Sequence, residues 1–374
     1  MKSESISVRE LARIAGVSAA TVSLALRESP KLAPETVARI RQLAKDHGYR
    51  RNPKLSRILA ETVSSRYGHT GEVIACLVTR QTRAQWDPES EGFLGMSARA
   101  TDYGYKVEPF FFLEEGLTPK RANQILRARG IAGLVILPPP YSMRQDGRLT
   151  LPVEWDKFSV VEIDDTITEP VLHRVRHNHL SGIWMALQEL ETLGYRRIGL
   201  CLRKEIEFAT HHRWAAGYFY WDKIRGYGIE PLICEQYRPE EIKRWIRKNR
   251  LDAVLSPGVE VLGQLEALGI AVPGDLGYAS LDLFGQGTKD VSGVDQERGI
   301  IGGMAIDLLV TMLHRGVRGE PARPTCWTAG ASWRTGGTCV RQKNLREIST
   351  IDNSLFESPG AVLRQGKSPK KKAG

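Results

Sequence analysis

Ile6-Ser7-Val8-Arg9-Glu10-Leu11-Ala12-Arg13-Ile14-Ala15-Gly16-Val17-Ser18, followed after two alanines by Thr21-Val22-Ser23, is the stretch on which the reading of this chain turns. Ser7 and Glu10 have the spacing of a capping box, in which the hydroxyl satisfies a first-turn amide and the carboxylate reaches back to the cap. Val8, Leu11, Ala12, Ile14 and Ala15 then recur at helical spacing, and Gly16 ends the helix. Ser18 is a good N-cap for a second helix to about residue 27, with Val22, Leu24, Ala25 and Leu26 as its apolar positions. A third helix begins at Pro34, carries Val37, Ile40, Leu43 and Ala44 on one face, and ends at Gly48. Three short helices with a tight turn over residues 15–18 predict a helix-turn-helix, whose second helix enters the major groove by its N-terminus.

Charge supports a polyanion partner once it is located. The net charge of +10 is split as +7 over residues 1–66 and +5 over 341–374, which leaves −2 on everything between. A basic head and tail on a near-neutral body is the electrostatic footprint of a nucleic-acid binder. The stretch 341–374, ending in Lys370-Lys371-Lys372-Ala373-Gly374, reads as a disordered basic tail that adds non-specific DNA affinity or simply solubility. No apolar run approaches the ~18 residues of a membrane span. The first seven residues lack a signal-peptide core, so a cytoplasmic location is expected. Five cysteines, odd in number and never spaced Cys-x-x-Cys, fit a reducing compartment better than a disulfide framework or a zinc knuckle.

The head resembles the start of regulators of the lactose-repressor (LacI/GalR) family. Besides the opening run, Pro34-Glu35-Thr36 and Gly48-Tyr49-Arg50-Arg51-Asn52-Pro53 follow in the same order and spacing, over roughly 55 residues. The resemblance implies phosphate contacts from Ser18 and Thr21, with Ser7 and Ser23 alongside. It also implies that positions 19, 20 and 24 meet base edges. Those positions hold Ala19, Ala20 and Leu24, so only apolar contact with thymine methyls is open to them, or the alanines simply favour the helix. Asn52-Pro53 opens a segment, 54–61, too short to be a stable helix alone. By resemblance it is a hinge helix that orders on DNA, with Asn52 and Arg57 at the backbone and Ile58, or its neighbour Leu59, wedged into the minor groove. An ordinary linker docked on the body is the other reading of it.

Behind the head, short apolar runs alternate with amphipathic stretches. Strands are expected at 73–79, 107–113, 133–137, 159–164, 197–202, 231–235, 252–256 and 276–282. Helices are expected at 92–103, 119–129, 180–193, 214–224, 239–249 and 259–268. This pattern predicts parallel sheets covered on both faces, and about 270 residues suit two lobes. The body also resembles the family's sensor, a periplasmic-binding-protein-like pair of Rossmann-type lobes. Its landmarks here are Leu193-Gly194-Tyr195-Arg196-Arg197-Ile198-Gly199, the run 268–275, and Gly293-Val294-Asp295. The expected fold class is therefore α/β, with an all-α head. The expected division is a DNA-binding domain at 1–50, a hinge at 51–69, and a sensor at 70–340. Within the sensor, one lobe is 70–174 plus 296–325 and the other is 175–295 plus 326–340.

In such a sensor a small ligand sits between the lobes at the carboxyl ends of strands. The resemblance makes Arg213 the arginine that grips effector hydroxyl or carboxylate groups and Asp282 the carboxylate opposite; a structural Arg–Asp pair is the alternative. Two positions depart from the family: His177 stands where an aspartate is usual, and Ser256-Pro257 replaces a polar pair after a strand. These changes imply an atypical effector or none. The triplet His177-Asn178-His179 has no partner motif, and His211-His212 has no carboxylate or cysteine cluster, so neither signals a nuclease or a metal site. No phosphate loop, dinucleotide fingerprint or nucleophile elbow is present, which argues against an enzyme and against a cofactor. The expectation is a homodimeric transcription regulator, by family habit a repressor, binding a pseudo-palindromic duplex under control of a sugar or related metabolite. Effector-independent DNA binding is the first alternative, and a solute-binding protein, which would need export in place of the basic head, is the second.

Overall fold

The computed structural model describes residues 6, 8–26, 32–47, 49, 72–79, 86–112, 114–131, 133–139, 149–284 and 287–342. Calls that fall outside them concern Ser7, the hinge with Asn52, Arg57, Ile58 and Leu59, and the basic tail beyond residue 342.

The head contains α1 (Val8–Ala15), α2 (Ala19–Leu26) and α3 (Pro34–Asp46). Leu11, Ala15, Val22, Ala25, Ile40 and Ala44 from all three helices form one small core. Gly16 takes the left-handed conformation, φ 66°, that lets the chain turn sharply between α1 and α2 without a Cβ penalty. Pro34 starts α3 where its missing amide is no loss. Arg39 on α3 donates to the Ala15 carbonyl at 3.1 Å, tying the third helix to the end of the first.

The body holds two six-stranded sheets. The first lobe is built from β1 (Val73–Val78), α4 (Glu91–Asp102), β2 (Lys106–Phe111), α5 (Pro119–Ala128), β3 (Gly133–Ile136), β4 (Ser159–Ile163) and β5 (His173–His177). The second continues with α6 (His179–Leu193), β6 (Ile198–Arg203), α7 (Lys204–Ala209), α8 (Arg213–Arg225), β7 (Leu232–Cys234), α9 (Pro239–Asn249), β8 (Ala253–Ser256), α10 (Glu260–Ala267), β9 (Gly277–Ser280) and β10 (Gly293–Asp295). The chain then returns to the first lobe through α11 (Arg298–Arg315) and β11 (Cys326–Ala329), and crosses once more to β12 (Ser332–Arg334). The strand orders are β11-β5-β4-β3-β1-β2 and β12-β10-β9-β8-β6-β7. All pairings are parallel except β12 against β10, which lies at the edge of the second sheet.

The crossings between sheets fall at residues 177–179, 295–298 and 329–332. They lie a few residues beyond the expected breaks at 174/175 and 325/326, because β5 and β11 pair with each other in the first sheet, Val175 opposite Trp327. Apolar strand residues face a helix layer on each side. Val135, Val161 and Val175 meet Met96, Ile306 and Leu309 on one face of the first sheet, and Leu134, Ile136 and Val160 meet Leu126 on the other. The second lobe buries a single larger core that includes Trp221, Tyr218, Tyr278 and Tyr195. Helices α4 and α11 touch backbone to backbone: a Cβ on Gly95 would lie 2.1 Å from the Gly299 carbonyl oxygen.

Candidate functional site: a helical reader and an inter-lobe cleft

In the head, Ser18 caps α2 as its type predicts. Its hydroxyl accepts from the Thr21 amide at 3.0 Å and lies 2.8 Å from the Thr21 hydroxyl. Both side chains therefore sit at the N-terminal end of α2, where backbone amides and the helix dipole favour an anion such as phosphate. Leu24, one turn on from Thr21, is only partly buried and stays out of the head core. Ala19 and Ala20 occupy the first turn of α2, and Ser23 lies on the same helix.

In the body, three parallel strands of the first lobe end at a cavity of about 220 Å³. Val78 and Thr79 close β1, Leu137 and Pro138 follow β3, and Ile163 and Asp164 close β4. Trp86 and Phe93 stand edge to face, ring centroids 5.1 Å apart, and wall one side. Asp87, Ser90 and Gln296 add polar groups, and Phe284, between β9 and β10, and Arg298, at the start of α11, complete the lining. The Arg298 guanidinium lies 4.3 Å from the Phe284 ring centre, a cation–π contact that fixes both. This is the place where α/β sheets of this kind bind ligands, outside the carboxyl ends of the strands.

The four residues expected to hold an effector are not brought together. Arg213, at the start of α8, faces Asp165 of the first lobe: Nη2 donates to Oδ2 at 2.5 Å and Nη1 to Oδ1 at 3.3 Å. Asp282, just past β9, accepts from Arg298 Nη2 at 2.6 Å. Arg213 and Asp282 thus each have a partner, but not one another. Ser256 is fully buried, with its hydroxyl 3.3 Å from that of Tyr237. His177 is also fully buried, edge to face with His179 at 5.2 Å, and neither it nor Ser256 lines the cavity. Burial, with Arg298 and Arg176 nearby, drops the His177 imidazole to about 4, and burial likewise holds His179 well below the ordinary range, so both are neutral. Gly182 gives the His177 ring its room, since a Cβ there would lie 2.6 Å from Nε2.

Sequence reasoning did not single out Asp165, Arg298 or the aromatic wall of Trp86, Phe93 and Phe284. The signal for Asp165 was the pair Asp164-Asp165 at the end of an apolar strand, where a left-handed φ of 67° at Asp164 re-aims the chain into the cleft. Among the described residues no group of three or more His, Cys, Asp or Glu could hold a metal. No described helix is long and apolar enough to cross a membrane.

Comparison with known proteins now bears on both halves. Residues 7–52 match the model of the bacterial regulatory proteins of the lacI family, and residues 187–339 match that of the periplasmic binding protein-like domain. The head is a lacI-family head. A lacI-family head and a periplasmic-binding-like body in one chain are the make-up of a DNA-binding transcription regulator. Solved structures of similar fold include the transcriptional regulator CelR in complex with cellobiose, at 19% identity and TM-score 0.54, covering 89% of this chain and 99% of that one. The lac repressor dimer bound to operator and the anti-inducer ONPF is similar at 15% identity and TM-score 0.50, covering 90% and 100%. CcpA of Lactococcus lactis follows at 12% identity and TM-score 0.53, covering 72% and 99%. A comparison with curated protein sequences finds no match.

Proposed function

We propose that this lacI-family regulator acts as a cytoplasmic homodimeric repressor on a pseudo-palindromic operator, with the small-molecule effector seated in the inter-lobe cavity. The observation that carries the reading is the coexistence, in one chain, of a capped α2 at residues 19–26 and a walled cavity of about 220 Å³ at the ends of β1, β3 and β4. Two heads are needed because one helix reads too few base pairs for specificity. Segment 54–61, with Ile58 or Leu59 in the minor groove, is the proposed coupling element between head and sensor. The chain acts by binding and not by catalysis.

At ~30 Å³ per water the cavity corresponds to about seven waters, which suits a ligand of monosaccharide size. Flat aromatic walls with a few polar groups suit a sugar ring, the class of ligand that cellobiose represents in the CelR complex. Asp87, Ser90 and Gln296, which line the cavity, supply polar groups for ligand hydroxyls. A ligand that prefers one lobe angle shifts the population whose heads can pair on DNA.

The test is selection of duplexes bound by the purified full chain, followed by affinity measurements on the winner with a panel of mono- and disaccharides. An inverted repeat whose affinity changes with one sugar class supports the proposal. Absence of any enriched repeat overturns the dimeric operator reading. An enriched repeat indifferent to every compound leaves the operator and removes the effector.

A further inference from the structure

The two side chains expected to grip an effector are each already gripped by the opposite lobe, and with opposite polarity. Asp165 belongs to the first lobe, just after β4, and Arg213 to the second. Asp282 belongs to the second lobe, while Arg298 opens α11, which packs along α4 and β4 of the first. We infer that these pairs form a latch: the ligand-free sensor rests closed on its own charges, with Asp165 and Arg298 in the bridging role otherwise left to a ligand. The inference rests on the proposed reading of the cleft as the regulatory site and specifies how that site is set when empty.

Burial separates these contacts from ordinary surface pairs. The Asp165 side chain is 4% exposed and Arg213 23%; Asp282 and Arg298 are 22% and 31%. The Arg213–Asp165 pair is two-pronged, the geometry in which charge-assisted hydrogen bonds are strongest. Two further contacts cross the same boundary: His211 Nε2 lies 2.8 Å from the Asp165 carbonyl oxygen, and Gln296 Nε2 donates to the Leu281 carbonyl at 3.1 Å.

Opening would leave these groups poorly compensated. Arg213 would keep the Thr210 carbonyl, at 3.0 Å, as its remaining partner. Asp165 would keep Arg176, whose Nε is 3.6 Å away. Asp282 would lose the hydrogen bond it accepts from Arg298, and its other oxygen has none among the described residues. Removing one member of a partly buried pair leaves an uncompensated charge, which is why such contacts hold a conformation more firmly than surface pairs do. Reversed polarity adds a second property. A lone anion can compete only at Arg213 or Arg298, and a lone cation only at Asp165 or Asp282, so neither releases both sides of the cleft.

The test compares the ligand-free full chain with the double variant Asp165→Asn plus Asp282→Asn, isosteric changes that remove one charge from each pair. Small-angle scattering should show a larger radius of gyration for the variant at equal oligomeric state. Amide exchange in the crossings 177–179, 295–298 and 329–332 should accelerate about tenfold or more, as expected when a closed state becomes an opening one. If the double variant does not fold, the two single variants carry the same measurement. Unchanged scattering and unchanged exchange overturn the latch. An opened variant that binds the selected operator with wild-type affinity keeps the latch but sinks the proposal that lobe angle controls the heads.

Discussion

Glu162, on β4, has no exposed surface, and burial pushes its carboxyl from the ordinary 4.5 up to about 8 despite the Ile167 amide, Arg174 and the Thr166 hydroxyl, all of which favour the charged form. At neutral pH the folded protein therefore retains a proton that the unfolded chain has lost. That proton linkage stabilises the fold below pH 4.5, and the stabilisation declines as pH rises toward about 8. His177 runs the other way. Its imidazole is held at about 4 against an ordinary 6.5, so its contribution is present above 6.5 and declines as pH falls toward 4. Each slope is about 1.4 kcal/mol per pH unit. Between pH 4.5 and 6.5 Glu162 opposes His177 and the neighbouring His179, whose imidazole burial also holds low, so acid-side loss of stability is blunted by the buried carboxyl. From pH 6.5 to 8 the histidine contributions no longer change, and about 2 kcal/mol of the Glu162 contribution should be lost.

Glu162→Gln isolates the effect. The amide oxygen can still accept from Ile167 N and the Thr166 hydroxyl, which lie 2.7 and 3.2 Å from Oε1, and the side chain no longer titrates. Urea midpoints at pH 5, 6, 7 and 8, at constant m, should level off above pH 6.5 for the variant while the wild type declines. Below pH 6.5 the variant should fall with acidification more steeply than the wild type, because the buried His177 and His179 then act without the opposing carboxyl. Parallel curves for the two proteins across the whole range would refute the buried-proton argument.

Gly95→Ala should lower stability by about 3 kcal/mol or more, because its Cβ would meet the Gly299 backbone at 2.1 Å and α4 and α11 cannot separate without losing their packing. Gly263→Ala, with nothing within 4 Å in helix α10, should instead raise it by up to about 1 kcal/mol; thermal melts that rank the two alike would contradict the account of the helix contact. Operator affinity should fall steeply with salt, by about 0.9 log unit per log unit of salt for each phosphate neutralised, and Arg57→Gln should reduce that slope by about one contact; a flat plot would remove the electrostatic argument. Ile58→Ser should reduce DNA bending while sparing cleft ligands, and equal bending by wild type, Ile58→Ser and Leu59→Ser would eliminate the wedge.

The elements that were legible in the sequence share a property: their own residues announce them. Ser18 and Gly16 mark the head's turn by capping chemistry and φ, and β1, β3 and β8 are short apolar runs between turn signals. Helix α11, the longest element among the described residues, is not legible because Ile300-Ile301, Ala305-Ile306 and Leu308-Leu309-Val310 spread apolar residues around the helix. Its buried crossing with α4 removes the polar face that periodicity depends on. Strand β5, His-Arg-Val-Arg-His, hides for the opposite reason. Its arginines are polar in sequence but face Glu162 and Asp165 in the fold. Arg213 and Asp282 were visible as candidates, yet their partners were not, since Asp165 is 48 residues from Arg213 and Arg298 is 16 from Asp282 on the far side of a crossing. Pairing between lobes is a property of topology, and no local pattern encodes it.

Strands β11 and β12 lie at the outer edge of the first and second sheets respectively, separated only by Gly330 and Ala331. A premature stop anywhere between α11 and residue 326 would therefore strip an edge from both lobes at once, exposing β5 in one and β10 in the other. Neither lobe can be exchanged between relatives as an uninterrupted cassette of gene sequence, because each is stitched from separate stretches of chain. Recombination that respects the fold has to replace the sensor whole, and the natural seam lies ahead of β1, where the reader ends.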